Sequence, residues 1–206
     1  MSESASNHPK TVLNHIKNCI NNYFVLSNTK DSLLEIREPK NTQILTIEDA
    51  YHNTSLCISL DKDRVKGEFD KAFPFLNPEH KGLTKKSDAI VFHYRDEILY
   101  IIIIELKNKK TDYKQIKSSF LFSEYLLKLI QLHNQAADNL FSQKIQFIGL
   151  FALQQKSLPK DLTIDPNHTA FPVFLYSEPT LKISRLIQHL KRNPTFLQTN
   201  LCENAS

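Results

Sequence analysis

Apolar side chains recur at helical spacing near the start of the chain, at Val12, Leu13, Ile16, Cys19, Ile20, Tyr23 and Phe24, with lysines and asparagines between them. The spacing predicts an amphipathic helix over 9–24, ended by polar residues around Asn28. From Leu33 to Leu60 the pattern shortens to strand-like pieces, 32–38 (SLLEIRE) and 55–61 (SLCISLD), broken by segments rich in Asn, Thr and Asp. Residues 61–87 are charged and carry Pro74 and Pro78, which suits a loop with at most one short helix.

Order returns at residue 88. AIVFHY (89–94) and ILYIIIIEL (98–106) are β-branched and aromatic runs separated by Arg95-Asp96-Glu97, the signature of a hairpin. The second run is apolar on both parities as far as Glu105, so its strand should lie centrally in a sheet covered on both faces. A long amphipathic stretch from Asp112 to about Gln143 follows, as one helix or two in succession, with Ile116, Phe120, Leu127, Ile130, Ala137 and Phe141 inward. IQFIGLFAL (145–153) and FPVFLY (171–176) read as further strands, and LKISRLIQHLKR (181–192) as the last helix. The order predicts one α/β domain over 1–206, with a mixed central β-sheet flanked by helices on both faces.

The hairpin carries a chemical consequence. If its turn is the two-residue loop Asp96-Glu97, paired residue numbers sum to 193 and Asp88 lies opposite Glu105. Directly opposed positions hold Cβ atoms about 4.5–5.5 Å apart, where two like charges are destabilising unless a cation offsets them. Alternation along the strand puts Lys107 on the face of Glu105. Two carboxylates beside an ammonium suit phosphodiester hydrolysis: oxygen ligands hold Mg²⁺, which neutralises phosphate charge and acidifies water, and the lysine orients that water or stabilises the developing anion.

Composition narrows the alternatives. With 41% hydrophobic and 23% charged residues the chain resembles an ordinary globular protein. Three glycines, and no GxGxxG or GxxxxGK[ST] pattern, argue against a dinucleotide or Walker-type site. Cys19, Cys57 and Cys202 lack CxxC spacing and read as reduced thiols rather than a zinc site. The start, MSESASNHPK, has no secretory pattern and no apolar run approaches the roughly 20 residues of a membrane helix, so a cytoplasmic protein without membrane partners is expected. The net charge of +4 equals the excess in the window Lys81–Lys117, where nine basic residues meet five acidic ones. Lys85, Lys86, Lys109, Lys110, Lys114 and Lys117 are therefore the candidate phosphate contacts.

On these residues the chain resembles the PD-(D/E)XK nuclease superfamily, whose pattern sets an acid on one strand and (D/E)-x-K on the next. The matching pieces are Ser87-Asp88-Ala89-Ile90-Val91 and Ile103-Ile104-Glu105-Leu106-Lys107, and the resemblance is clearest over 85–152. Of the four [DE]-x-K triplets in the chain, only this one ends a long apolar strand. The resemblance implies a restriction-endonuclease-like core, with Asp88, Glu105 and the Leu106 carbonyl as ligands of Mg²⁺, for which Mn²⁺ can substitute. It gives Lys107 the water-positioning role and Gln115 that of a polar residue pointing into the site. Ser87 stands where the family often has proline. Residues 9–24 lack the acid that many members supply from the first helix, so Glu68, or else Glu35, takes that place. The implied activity is a DNA endonuclease in defence against foreign DNA, as a homodimer.

Two other readings stay in view: an RNA-directed nuclease, and a non-catalytic module that recruits nucleic acid or a partner protein on the same fold. His80 and His93, without a partner pattern, read as structural, and Phe120, Phe122 and Tyr125 as packing.

Overall fold

The computed structural model describes residues 9–37, 43–60, 86–107, 113–133, 144–153, 161–166 and 171–193. Its elements are α1 (Pro9–Asn18), a 3₁₀ turn (Asn22–Phe24), β1 (Val25–Leu26), β2 (Leu34–Arg37), β3 (Ile44–Glu48), β4 (Ser55–Ile58), β5 (Ala89–Arg95), β6 (Ile98–Lys107), α2 (Tyr113–His133), β7 (Lys144–Leu153), β8 (Thr163–Ile164), β9 (Val173–Tyr176), β10 (Thr180–Lys182) and α3 (Ile183–Lys191). A seven-stranded sheet runs in the order β1-β4-β5-β6-β7-β9-β8, and a three-stranded sheet in the order β10-β3-β2. The large sheet is mixed: β4, β5 and β6 form an antiparallel meander, while β6, β7 and β9 are parallel.

Strand β6 is central, as its double-sided apolar pattern predicts, with eight consecutive buried residues. Its odd positions Leu99, Ile101 and Ile103 join Val12, Leu13 and Ile16 of α1 and Ile116, Leu127 and Ile130 of α2 in one core. Its even positions Tyr100, Ile102, Ile104 and Leu106 join Leu34, Ile36, Leu45 and Ile47 of the small sheet and Leu186, Ile187 and Leu190 of α3 in the other. The expected α/β class with a mixed sheet is present. The second face, however, is covered by a small sheet as well as a helix.

Other boundaries differ from expectation. The helix predicted over 9–24 ends at Asn18, because the asparagines that follow bond locally: Asn21 Oδ1 accepts from the Tyr23 N–H at 2.9 Å and caps the 3₁₀ turn. The piece at 32–38 is not part of the meander; its strand β2 pairs with β3. Strand β3 has no counterpart in the sequence reading, being a short alternation of Leu45 and Ile47 among polar flanks. Helix α3 begins at Ile183 rather than 181, since Thr180–Lys182 pairs in parallel with β3. The expected second half of the long helix, 134–143, and most of the 61–87 loop lie outside the described residues. Among the described residues no helix is long and apolar enough to cross a membrane.

Candidate active site

The hairpin sets the site. Its register runs from Arg95↔Ile98 to Ala89↔Ile104, the predicted sum of 193, so Asp88 comes next opposite Glu105. Asp96 (φ 51°) and Glu97 (φ 59°) are both left-handed, the geometry of a type I′ turn, which matches the twist of the strands it joins. Asp88 shares parity with Ile90 and Phe92, and Glu105 with Ile101 and Ile103, all in the helix-side core. Alternation thus brings Asp88, Glu105 and Lys107 to one sheet face at the end of the paired strands.

Each of the three is held. Asp88, only 6% exposed, accepts the Leu106 N–H on Oδ2 at 2.6 Å, so its carboxylate continues the β5–β6 ladder past the end of β5. Its backbone carbonyl accepts the Ser59 hydroxyl at 2.9 Å. Glu105 is fully buried and meets the Lys107 ammonium at 2.5 Å. A buried carboxylate needs such a partner, because desolvation penalises the charge. Beside Glu105 in the β6–β7 register stands Phe151, whose ring takes that of Tyr113, in the first turn of α2, edge-on at 5.2 Å. An apolar wall therefore flanks the acid.

Helix α2 also fixes the approach to Asp88. Ser119 Oγ accepts from the Ser87 N–H at 2.8 Å and lies 2.7 Å from Ser87 Oγ, and both serines are buried. One turn earlier, Gln115 Nε2 donates to the Lys86 carbonyl at 3.1 Å. Gln115, expected to point into the site, thus clamps the segment leading to Asp88. The sequence reading missed Ser119, although its spacing of four from Gln115 puts both on one helix face. Gly149 lets the helix sit close: a Cβ there would lie 2.9 Å from Val173 Cγ2 and 3.3 Å from Ile116 Cγ2.

Leu106 buries its side chain in the opposite core, leaving only its main chain at the site. Glu35 is on β2, between core residues Leu34 and Ile36 and so turned away from the core, and pairs with Arg37 at 2.6 Å. It is not brought to the site. Glu68, His80, Lys85, Lys109 and Lys110 lie outside the described residues. Lys86 is half-buried; Lys114 and Lys117 are exposed on the first two turns of α2. His93 is buried on the other sheet face, with Nδ1 2.9 Å from Ser55 Oγ. Burial, and then Arg95, lower its pKa to about 4. Phe120 packs on Phe147 and Phe171, whereas Tyr125, expected to pack, is 62% exposed.

A divalent cation can be weighed against these residues. Asp88, Glu105 and the Leu106 carbonyl offer oxygen only, which suits Mg²⁺, an ion commonly held by one or two carboxylates with water and substrate completing its shell. Among the described residues no three His, Cys, Asp or Glu side chains gather around one position. The donors fit in kind, with two carboxylates as the protein's acidic share. No family model, curated protein or solved structure matches the chain.

Proposed function

We propose that the chain is a metal-dependent nuclease that hydrolyses phosphodiester bonds, with DNA as its substrate, in the manner of the PD-(D/E)XK enzymes it resembles. The observation that carries this reading is the gathering of Asp88, Glu105 and Lys107 on one sheet face, in the register that sets acid opposite acid. Asp88, Glu105 and the Leu106 carbonyl would hold a divalent cation, which when bound would supply positive charge to the phosphate and acidify water. The chain does the rest. The Leu106 N–H orients Asp88, the Ser87–Ser119 and Lys86–Gln115 bonds fix the segment before it, and Phe151 and Tyr113 limit water on one side of Glu105. Lys107 sits where its ammonium can turn from Glu105 to a phosphate oxygen or an attacking water. Exposed Lys114 and Lys117 extend the positive face toward the backbone of the substrate. A cut within the strand, a homodimer and a role against foreign DNA belong to the same proposal by resemblance.

The test is incubation of the full chain with supercoiled plasmid, single-stranded DNA and RNA, with Mg²⁺ or with EDTA. Mg²⁺-dependent cleavage of DNA is the expected result. One observation favours a second reading, a non-catalytic nucleic-acid-binding module: Lys107 already neutralises Glu105. Binding of the same substrates with no cleavage in Mg²⁺ or Mn²⁺ would establish that reading instead.

A further inference from the structure

Helix α2 has two unlike faces. Ile116, Leu127 and Ile130 pack in the helix-side core, and Ser119 on the same side holds Ser87. Along the opposite side run Lys114, Lys117, Leu121, Tyr125, Lys128 and Leu132, all exposed and spaced so that they form one continuous line on a helix. Leu121 is 53% exposed, Tyr125 62% and Leu132 73%. Single exposed apolar side chains are ordinary, but a line of them between lysines marks a contact surface.

The charge of this face selects its occupant. Helix α2 carries Lys114, Lys117 and Lys128 against one acid, Glu124, which Lys128 meets at 3.3 Å. A second copy of the chain suits it badly: antiparallel pairing about Leu121 and Tyr125 brings Lys117 of one copy beside Lys128 of the other, and parallel pairing sets each lysine against itself. The occupant must be anionic and must also offer apolar surface to Tyr125 and the leucines. A nucleic-acid strand with unpaired bases offers both, because its phosphates suit the lysines and every base has a π-face that an exposed ring can stack on. The base faces of a duplex are hidden within the stack.

The line begins at the candidate active site. Tyr113, just before Lys114, sets its ring against Phe151, the neighbour of Glu105 in the β6–β7 register. From Lys114 to Tyr125 the helix advances about 16 Å, a reach of a few nucleotides. We infer that this face of α2 is a track for single-stranded DNA: the lysines hold its backbone, an unpaired base stacks on Tyr125, and the strand continues to Glu105 and Lys107. The track rests on the nuclease reading above and gives DNA with unpaired nucleotides beside the cleaved bond preference over plain duplex.

Fluorescence anisotropy with the full chain in EDTA tests it, using a labelled single strand, an abasic strand of the same length and the duplex of the first. The single strand should bind roughly tenfold more tightly than the abasic one, which has the same charge and nothing to stack. Tyr125→Ala should remove most of that difference and leave abasic binding unchanged, whereas Tyr125→Phe, which keeps a ring, should preserve it. Equal binding of single strand and abasic strand, equal binding of single strand and duplex, or a difference that survives in Tyr125→Ala overturns the track. The chain has no tryptophan, so Tyr125→Trp supplies a sole indole, whose emission the single strand should quench and the abasic strand should not. Unquenched emission at saturating single strand overturns the track as well. So does a Tyr125-dependent dimer in sedimentation, or binding to phosphatidylserine vesicles that Tyr125→Ala abolishes while strand binding persists. None of these measurements uses Mg²⁺, so the nuclease reading stands or falls on its own cleavage assay.

Discussion

A carboxylate taken out of water needs a partner, and Glu105 finds one in Lys107, two residues along the same strand. Both residues were legible in the sequence because strand alternation places them together whatever the rest of the fold does. His93 shows what alternation leaves open. It reads as structural, and the structure buries it against Ser55, with Arg95, Asp49 and Asp96 as the charges that act on it. Its folded pKa of about 4 lies below the ordinary value of 6.5, so between these values the unfolded chain binds the proton more tightly. The contribution of neutral His93 is complete above pH 6.5 and is lost as pH falls toward 4, on the order of 3 kcal/mol. Urea unfolding near neutral pH and again near the lower limit should show that loss, and His93→Gln should flatten it. An unchanged pH slope in the variant would assign the loss to other groups.

Among the elements, the hairpin was readable and the small sheet was not. A two-residue turn between two long apolar runs fixes the register of β5 and β6 locally, and the observed pairs follow the predicted sum of 193. Strand β10 depends on a partner distant in sequence: the backbone of Thr180–Lys182 pairs with β3 and overrides the helical spacing that begins at Leu181, while β3, paired with the preceding β2, is too short and polar-flanked to stand out. Helix α2 was legible as a helix, but its clamp on Ser87 required knowing which face meets the sheet. Ser119→Ala removes the acceptor of the buried Ser87 N–H, so it should destabilise the chain by about 1–3 kcal/mol. It should also slow cleavage more than it weakens DNA binding, because it loosens the segment that positions Asp88. A Tm and kcat matching the unaltered chain would remove the clamp from the account.

Across the whole molecule, the described lysines Lys86, Lys107, Lys114 and Lys117, the paired acids and the carboxyl ends of β6 and β7 lie toward one end of the sheet, and this common location supports the nuclease reading. Composition alone could not show it, since +4 averaged over the chain is a weak signal and only its distribution and the fold give it direction. Replacing Lys114 and Lys117 with alanine should weaken DNA binding at all sequences alike and lower the salt slope by roughly 0.9 for each phosphate contact removed. An unaltered slope would make them ordinary solvated lysines. The most direct measurement concerns chemistry rather than binding: plasmid cleavage in Mg²⁺ by Glu105→Gln beside the unaltered chain, with circular dichroism melting to show that both are folded. The substitution keeps the shape of a buried side chain and removes its charge, so the account predicts a loss of about 100-fold or more in cleavage rate with DNA affinity largely kept. Cleavage at the unaltered rate by a folded Glu105→Gln chain would contradict it.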